Sequence, residues 1–219
     1  MEEQDLDWRE GIPVSRRYGD PYYSLQDGLA ETRHTFLAGN DLPARFRDGF
    51  HVAELGFGTG LNALATLAAF RAAGVAGRLR ITSFEAHPLE LRQMARAHAA
   101  FPEIANLSAE LLADWTGCGA RLADLDLAVV HGDAVGTLPR WSGRADAWFL
   151  DGFAPARNPG LWAPDLLAEV ARHTAPCGTF ATYTAAGHVR RALAGAGFDV
   201  ARVPGYGAKR HMSRGRLLP

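Results

Sequence analysis

Hydrophobic and polar positions along the chain fall into two regimes. From residue 50 onward, short apolar runs alternate with longer stretches of helical period. Residues 1–49 are instead rich in Asp, Arg, Tyr and Gly and lack a clean period outside Gly28 to Leu37. Phe50 to Leu55 predicts a first strand, and the Ala/Leu-rich run from Leu61 to Ala73, ended by Gly74, predicts a helix. Leu79 to Glu85 predicts a second strand. Pro88 suits the first turn of a helix reaching about Ala100, and Pro102 to Thr116 predicts a shorter helix carrying Trp115. Leu125 to Val130 and Ala145 to Leu150 predict strands three and four, Asp165 to His173 a helix, and Cys177 to Thr182 strand five. Gly187 to Ala194 reads as a helix stopped by Gly195 and Gly197. Phe198 to Val203 and Lys209 to Arg214 are predicted as two last strands around Pro204-Gly205-Tyr206-Gly207. With no long helix between them, they should pair as an antiparallel hairpin.

Strands alternating with helices predict an α/β fold: a doubly wound, mostly parallel seven-stranded sheet, Rossmann-like, with the hairpin at one edge. A length of 219 residues fits one domain. We place that domain at 50–219, with 1–49 as an N-terminal extension packed on it. Ligands of such sheets sit beyond the carboxyl ends of the strands, near the point where strand order reverses.

Composition narrows the function classes. Hydrophobic residues at 47% and charged residues at 21% are ordinary for a globular chain. A formal charge of -1 gives no global attraction to nucleic acid, so an RNA partner needs a local basic patch. No apolar stretch approaches the length of a membrane span, and the acidic, polar Met1 to Glu10 does not read as a secretory signal. Cys118 and Cys177 are isolated, which suits a reducing, cytoplasmic setting. The eight histidines form no HExxH or comparable group, so no metal is expected, and no nucleophilic Ser or Cys is indicated.

The candidate chemistry lies at the strand ends. Glu54-Leu55-Gly56-Phe57-Gly58-Thr59-Gly60 follows the first strand and opens a helix. Glycine permits a tight turn and a close ligand approach. A dinucleotide fingerprint wants its third glycine one place later, where Leu61 stands. The spacing therefore favours a nucleoside without a pyrophosphate, such as S-adenosylmethionine (SAM). Glu85 ends strand two, where a carboxylate can accept from both ribose hydroxyls, and Asp133 follows strand three, where it can accept from an adenine amino group. Glu54 either ties down the turn or meets the ligand's ammonium group. Asp151 follows strand four beside the same pocket. Gly152, Pro155 and Pro159 then shape a loop able to hold an acceptor against a methyl group.

At these residues the chain resembles the methyltransferase part of MnmC, the tRNA wobble-uridine 5-aminomethyl-2-thiouridine methyltransferase. The likeness runs through Tyr18-Gly19-Asp20-Pro21-Tyr22-Tyr23-Ser24, Gly28-Leu29-Ala30-Glu31 and Phe36-Leu37-Ala38-Gly39-Asn40. It continues through Glu54 to Asn62, Asp151 to Pro159, Thr182 to Gly187 and Gly205 to Met212. The resemblance implies a class I SAM-dependent methyltransferase fold. It also implies N-methylation of the primary amine of 5-aminomethyl-(2-thio)uridine at the tRNA wobble position, with the anticodon loop as partner. Carried onto this chain, Asp151 would be catalytic, and Glu54, Gly56, Phe57, Gly58, Thr59, Gly60, Asn62, Glu85 and Asp133 would surround SAM.

For the RNA, Tyr22, Tyr23 and Phe153 are candidates for stacking, and Arg157 lies beside Asp151. Lys209, Arg210, Arg214 and Arg216 form a basic cluster near the C-terminus, while Trp148 and Trp162 read as core. MnmC is fused in some bacteria to a flavin-dependent oxidase. With the chain stopping at Pro219, we expect no FAD and no oxidation step. Ala86 and His211 stand where the family pattern suggests a lysine and a glutamate, which bears on RNA contacts. Two other functions compete: an aminopropyltransferase of the spermidine-synthase kind, and an inactive SAM- or RNA-binding module. More acids would favour the first; the basic positions Arg157 and Lys209 oppose it.

Overall fold

The computed structural model describes residues 6–24 and 27–219. The expected 1–49 extension therefore includes residues 1–5, 25 and 26, which lie outside the described residues. In chain order the elements are β1 (Leu6–Arg9), β2 (Ile12–Ser15), β3 (Asp20–Pro21), α1 (Gly28–Thr32), β4 (His51–Leu55) and α2 (Leu61–Ala72). There follow β5 (Leu79–Glu85), α3 (Leu91–His98), α4 (Ala105–Ala113), β6 (Gly119–Arg121), β7 (Leu125–His131) and α5 (Ala134–Thr137). The chain ends with β8 (Ala145–Leu150), α6 (Pro164–Arg172), β9 (Thr174–Thr182), α7 (Gly187–Gly195), β10 (Phe198–Pro204) and β11 (His211–Leu217).

The main sheet has the order β10-β11-β9-β8-β4-β5-β7-β6. The strands from β9 to β7 run parallel, while β11 is antiparallel to both β9 and β10. This is the doubly wound fold with its terminal hairpin. Order reverses between β4 and β8, so the carboxyl ends of those two strands flank the expected crevice. Alternation along the strands feeds two cores. Val52, Ala147 and Phe149 face the side covered by α2 and α4, whereas Ala53, Leu55, Trp148 and Leu150 face α6 and α7. Trp148 and Trp162 are both buried, as expected of core residues.

The sheet has eight strands rather than the expected seven. The additional β6 is three residues long and carries no period, so nothing in the hydrophobic pattern marks it. Its Gly119 has φ +151°, and a Cβ there would lie 2.1 Å from Leu127 O, so the edge pairing with β7 depends on glycine. A separate three-stranded sheet, β1-β2-β3, forms from the aperiodic N-terminal region.

Several expected boundaries move, among them the start of the strand expected at Cys177–Thr182, which begins at Thr174. Pro88 precedes α3 instead of opening it; the helix starts at Leu91, where Gln93 Oε1 accepts from Glu90 N–H at 2.9 Å. Trp115 lies beyond the end of α4 and stacks on Phe57 at 5.4 Å. The last strand begins at His211, because Gly205 N–H donates to Arg210 O and Lys209 N–H donates to Tyr206 O in the preceding turn. Lys209 is thereby released from the sheet.

Residues after α1 are fastened to the sheet by polar contacts. Asn40 Nδ2 donates to Trp148 O at 3.2 Å, and its Oδ1 accepts from Thr179 Oγ1 at 2.6 Å. Arg45 donates to Asn40 O, Thr179 Oγ1 and Asp146 O. At Gly39 a Cβ would come within 2.7 Å of the Ala181 Cβ, so this approach needs glycine. No helix among the described residues is long and apolar enough to cross a membrane.

Candidate functional site

A cavity of about 740 Å³ opens at the carboxyl ends of β4, β5, β7 and β8. That volume is within the range of small-molecule sites, roughly 300–1,000 Å³. Gly56, Phe57, Gly58, Thr59, Asn62, Glu85, Asp133, Asp151, Phe153, Tyr23 and Lys209 all line it. The residues picked from six separate stretches of sequence therefore share one space.

The turn after β4 is built by glycine. Gly56, Gly58 and Gly60 have φ values of +84°, +55° and +80°, a region that side chains disfavour. At Gly60 a Cβ would meet the Phe57 ring at 2.8 Å, and at Gly58 it would meet the Tyr22 ring at 3.1 Å. Gly60 serves as the N-terminal boundary of α2 rather than as cavity lining. The turn is held from outside as well. Glu85 Oε2 accepts from Gly58 N–H at 2.9 Å, while Glu85 Oε1 accepts from His87 N–H. The buried His98 bonds Thr59 O through Nε2 and Ser108 Oγ through Nδ1, each at 2.7 Å. Asp133 lies across the cavity and caps α5 by accepting from Val135 N–H. Both acids keep lone pairs for a ligand, and this cradle of backbone and carboxylates suits a nucleoside.

Beneath the turn lies a carboxylate pair joined by one amide. Asn62 Nδ2 donates to Glu54 Oε1 at 2.6 Å and to Asp151 Oδ2 at 2.8 Å. Its Oδ1 accepts from Thr32 Oγ1 at 2.7 Å, which fixes which way the amide points. Glu54 is 1% exposed and also accepts from Ser83 Oγ at 2.8 Å. Expected among the cofactor-binding residues, Glu54 does not line the cavity; its oxygens are taken by Asn62 and Ser83. Burial raises its carboxyl well above the usual range, against the lowering effect of those two donors.

Asp151 sits on the cavity floor. Burial pushes its carboxyl up to about 7, while hydrogen bonds from Asn62 and Gly152 N–H and the charge of Lys209 pull the other way. Behind it, the backbones of Gly56 and Gly152 touch, since a Cβ on Gly56 would lie 3.1 Å from the Gly152 Cα. The two catalytically interesting turns are thus packed directly against each other.

The N-terminal segment crosses the loop after β8. Tyr18 stacks on Phe153 at 4.5 Å, and Tyr22 meets the same ring edge-on at 5.2 Å. Asp20 Oδ2 accepts from Ala154 N–H at 3.0 Å. Phe153, expected to stack on a base, is already engaged by two protein rings. Tyr23 turns its hydroxyl to Ala97 O at 3.3 Å and its ring to Phe101, serving as cavity wall. Burial pushes the Tyr23 phenol up to about 12.

The basic cluster does not stay together. Lys209 turns into the cavity, where Nζ donates to Glu31 Oε1 at 2.6 Å and lies 4.1 Å from the Tyr183 ring centroid. Arg214 instead pairs with Asp41 at 2.9 Å, with Arg216 near the same carboxylate at 3.8 Å. Arg157 and Arg210 are exposed and outside the cavity lining. Sequence reasoning gave no role to Glu31, Thr32 or Tyr183; Glu31 and Tyr183 stood inside the family-like stretches, but only the fold brings them to Asp151 and Lys209.

A family model described as S-adenosyl-L-methionine-dependent methyltransferase matches residues 100–217. Curated relatives bear the name tRNA 5-methylaminomethyl-2-thiouridine biosynthesis bifunctional protein MnmC. The one from Stutzerimonas stutzeri is 47% identical over 97% of this chain and 34% of its own length. Another, from Caulobacter sp., is 49% identical over 94% of this chain and 37% of its own. The chain thus spans about a third of the length of these relatives. Among solved structures, MnmC2 from Aquifex aeolicus superposes with a TM-score of 0.78 at 24% identity, covering 99% of this chain and 71% of that one. A precorrin-6y C5,15-methyltransferase from Geobacter metallireducens gives 0.53 at 13% identity, covering 90% of each. These two likenesses speak for the fold.

Proposed function

Because the chain belongs to the S-adenosyl-L-methionine-dependent methyltransferase family, we propose that it methylates the primary amine of 5-aminomethyl-(2-thio)uridine at the wobble position of tRNA. The observation carrying this reading is Asp151, a carboxylate on the floor of the same cavity that holds the glycine turn, Glu85 and Asp133. The relatives named MnmC supply the substrate class. In this reading the chain acts on tRNA in the cytoplasm and engages its anticodon loop.

Bound SAM supplies an electrophilic methyl carbon on a positively charged sulfur. Glu85 would hold the ribose hydroxyls, Asp133 the adenine amine, and the Gly56–Gly60 backbone would let the nucleoside lie close. Glu54 acts through Asn62 and not on the cofactor itself. The acceptor must arrive as a free amine, since its ammonium form has no lone pair, and an alkylamine's reference pKa is near ~10. Asp151 orients that amine and takes its proton as the N–C bond forms and the C–S bond breaks. A carboxyl tuned to about 7 is matched to accepting a proton near neutral pH. An anticodon loop presents its bases unstacked, so the wobble nucleotide can enter without duplex opening.

The test is transfer of labelled methyl from SAM to tRNA carrying aminomethyl wobble uridine, beside the same tRNA lacking that amine. Label only in the first is expected. Label in neither, or turnover of free polyamine alone, overturns the proposal.

A further inference from the structure

We propose that Lys209, seated between Glu31 and the Tyr183 ring, keeps the bound acceptor amine uncharged and so ready to attack. The inference rests on the reading of the site as an amine methyltransferase, and it concerns a side chain that reading leaves idle.

Two contacts fix the lysine. Nζ donates to Glu31 Oε1 at 2.6 Å, and Glu31 is itself buried at 8% exposure. The ammonium also rests over the Tyr183 ring, 4.1 Å from its centroid. That ring is in turn pinned, because Tyr183 Oη donates to Gly152 O at 2.8 Å and the ring edge meets Trp162. Gly152 is the neighbour of Asp151, so the seat of the lysine and the proposed base are tied to one backbone segment. The lysine side chain remains 42% exposed, and a cation held over an aromatic face keeps its charge.

The position of this charge answers a difficulty in the chemistry. A carboxylate beside an alkylamine favours the ammonium form, which cannot attack. A second cation close by favours the neutral form. Lys209 and Asp151 line the same cavity, where the charge of Lys209 draws the Asp151 carboxyl downward and that of Glu31 opposes it. An ammonium held at Asp151 would meet that like charge and would shed its proton more readily. Around Lys209 stand Glu31 from α1 and Tyr183 after β9, and the same cavity is lined by Asp151 after β8, Asp20 of β3, Arg17 and His87.

The experiment has two readouts. The first is the single-turnover methylation rate at saturating tRNA and SAM, measured against pH, which reports groups in the bound complex. The second is a ¹⁵N NMR titration of the labelled aminomethyl group bound to the enzyme with S-adenosylhomocysteine, which needs no turnover. Lys209→Met is expected to raise the half-point of both curves by about one pH unit. Its rate should then be roughly tenfold low on the acidic limb and near wild type on the alkaline plateau. Lys209→Arg is expected to restore the wild-type midpoint. Unchanged midpoints with a rate lowered equally at every pH would assign Lys209 a structural or RNA-binding role and overturn the inference. Should Lys209→Met not fold, the Arg and Gln variants carry the same comparison. Absence of methylation by the wild-type enzyme would instead strike at the proposed function.

Discussion

Asn62 Nδ2 reaches Asp151 with a 2.8 Å hydrogen bond while the same nitrogen donates to Glu54 and the amide oxygen accepts from Thr32. Asp151 is therefore aimed by the first turn of α2, the helix that the glycine turn opens. Cofactor cradle and proposed base are set by one short stretch of chain.

Asp151→Asn preserves size and an oxygen for Asn62 but cannot take a proton. Methyl transfer to aminomethyl-bearing tRNA is expected to fall by about 10²–10⁴-fold, with SAM affinity changed only a few-fold. Radiolabel transfer and calorimetric SAM titration measure the two. The same change should alter stability in a pH-dependent direction. Because the folded-state carboxyl titrates at about 7, above the usual 3.8, its favourable contribution is present at low pH and is lost as pH rises through 7. Asn, never charged, should thus gain on wild type as pH rises from 5 to 8, by roughly 1–2 kcal/mol in urea melts, allowing for partial solvent access. An equal effect at both pH values would contradict this environment for Asp151.

Asp133 combines a cap with a proposed ligand contact, and two substitutions separate them. Asp133→Asn keeps a good N-cap acceptor, whereas Asp133→Ala removes it. Both are expected to weaken SAM binding, by about tenfold if one buried hydrogen bond is lost. Only the Ala variant should also lose about 0.5–1 kcal/mol of stability. Undiminished SAM affinity in both would remove Asp133 from the cofactor site.

What could be read from sequence divides along physical lines. β8 matches its predicted limits because buried parallel strands advertise themselves as apolar runs, and β5 matches too although Arg80, Thr82 and Ser83 interrupt its apolar positions. The Gly56–Gly60 turn was legible for a similar reason: backbone geometry demands glycine there. β1–β3 and β6 escaped, being short and without a one-sided apolar face. The sharing of one cavity by Glu85, Asp133 and Asp151 followed from the strand-end rule. By contrast, Glu31 and Lys209 are 178 residues apart, and no local spacing couples them. For Glu54 the sequence shows that an acid precedes the turn but not that its oxygens engage Asn62 and Ser83.

Two buried histidines contribute to the acid limb of stability. Burial lowers His51 to about 4, with Arg80 adding to the effect, and it lowers His98 as well. A depressed folded-state pKa means that stability is fully present above about 6.5 and declines as pH falls toward 4. His51 also bonds Thr82 Oγ1 at 2.9 Å in its neutral form. His51→Gln keeps a polar partner without a titratable ring. Its melting temperature should fall less steeply than wild type between pH 6.5 and 4, by an amount worth on the order of 1–2 kcal/mol. Parallel curves would show that His51 titrates normally.

Asn62→Asp is the sharpest test of the carboxylate pair. In the wild type one amide nitrogen donates to both Glu54 and Asp151, so each acid loses a donor when that nitrogen becomes an oxygen. A third acid would then stand between two carboxyls that burial already holds above their usual range. Ionising any of them adds an uncompensated charge, and breaking such a buried arrangement is worth about 3–5 kcal/mol. Protonation relieves the conflict, so the loss should be largest at pH 8 and shrink toward pH 5. Urea midpoints at the two pH values supply the measurement, with Asn62→Ala as the reference for simple removal of the amide. A pH-independent loss equal to that of Asn62→Ala would mean that Glu54 and Asp151 do not share this donor in solution.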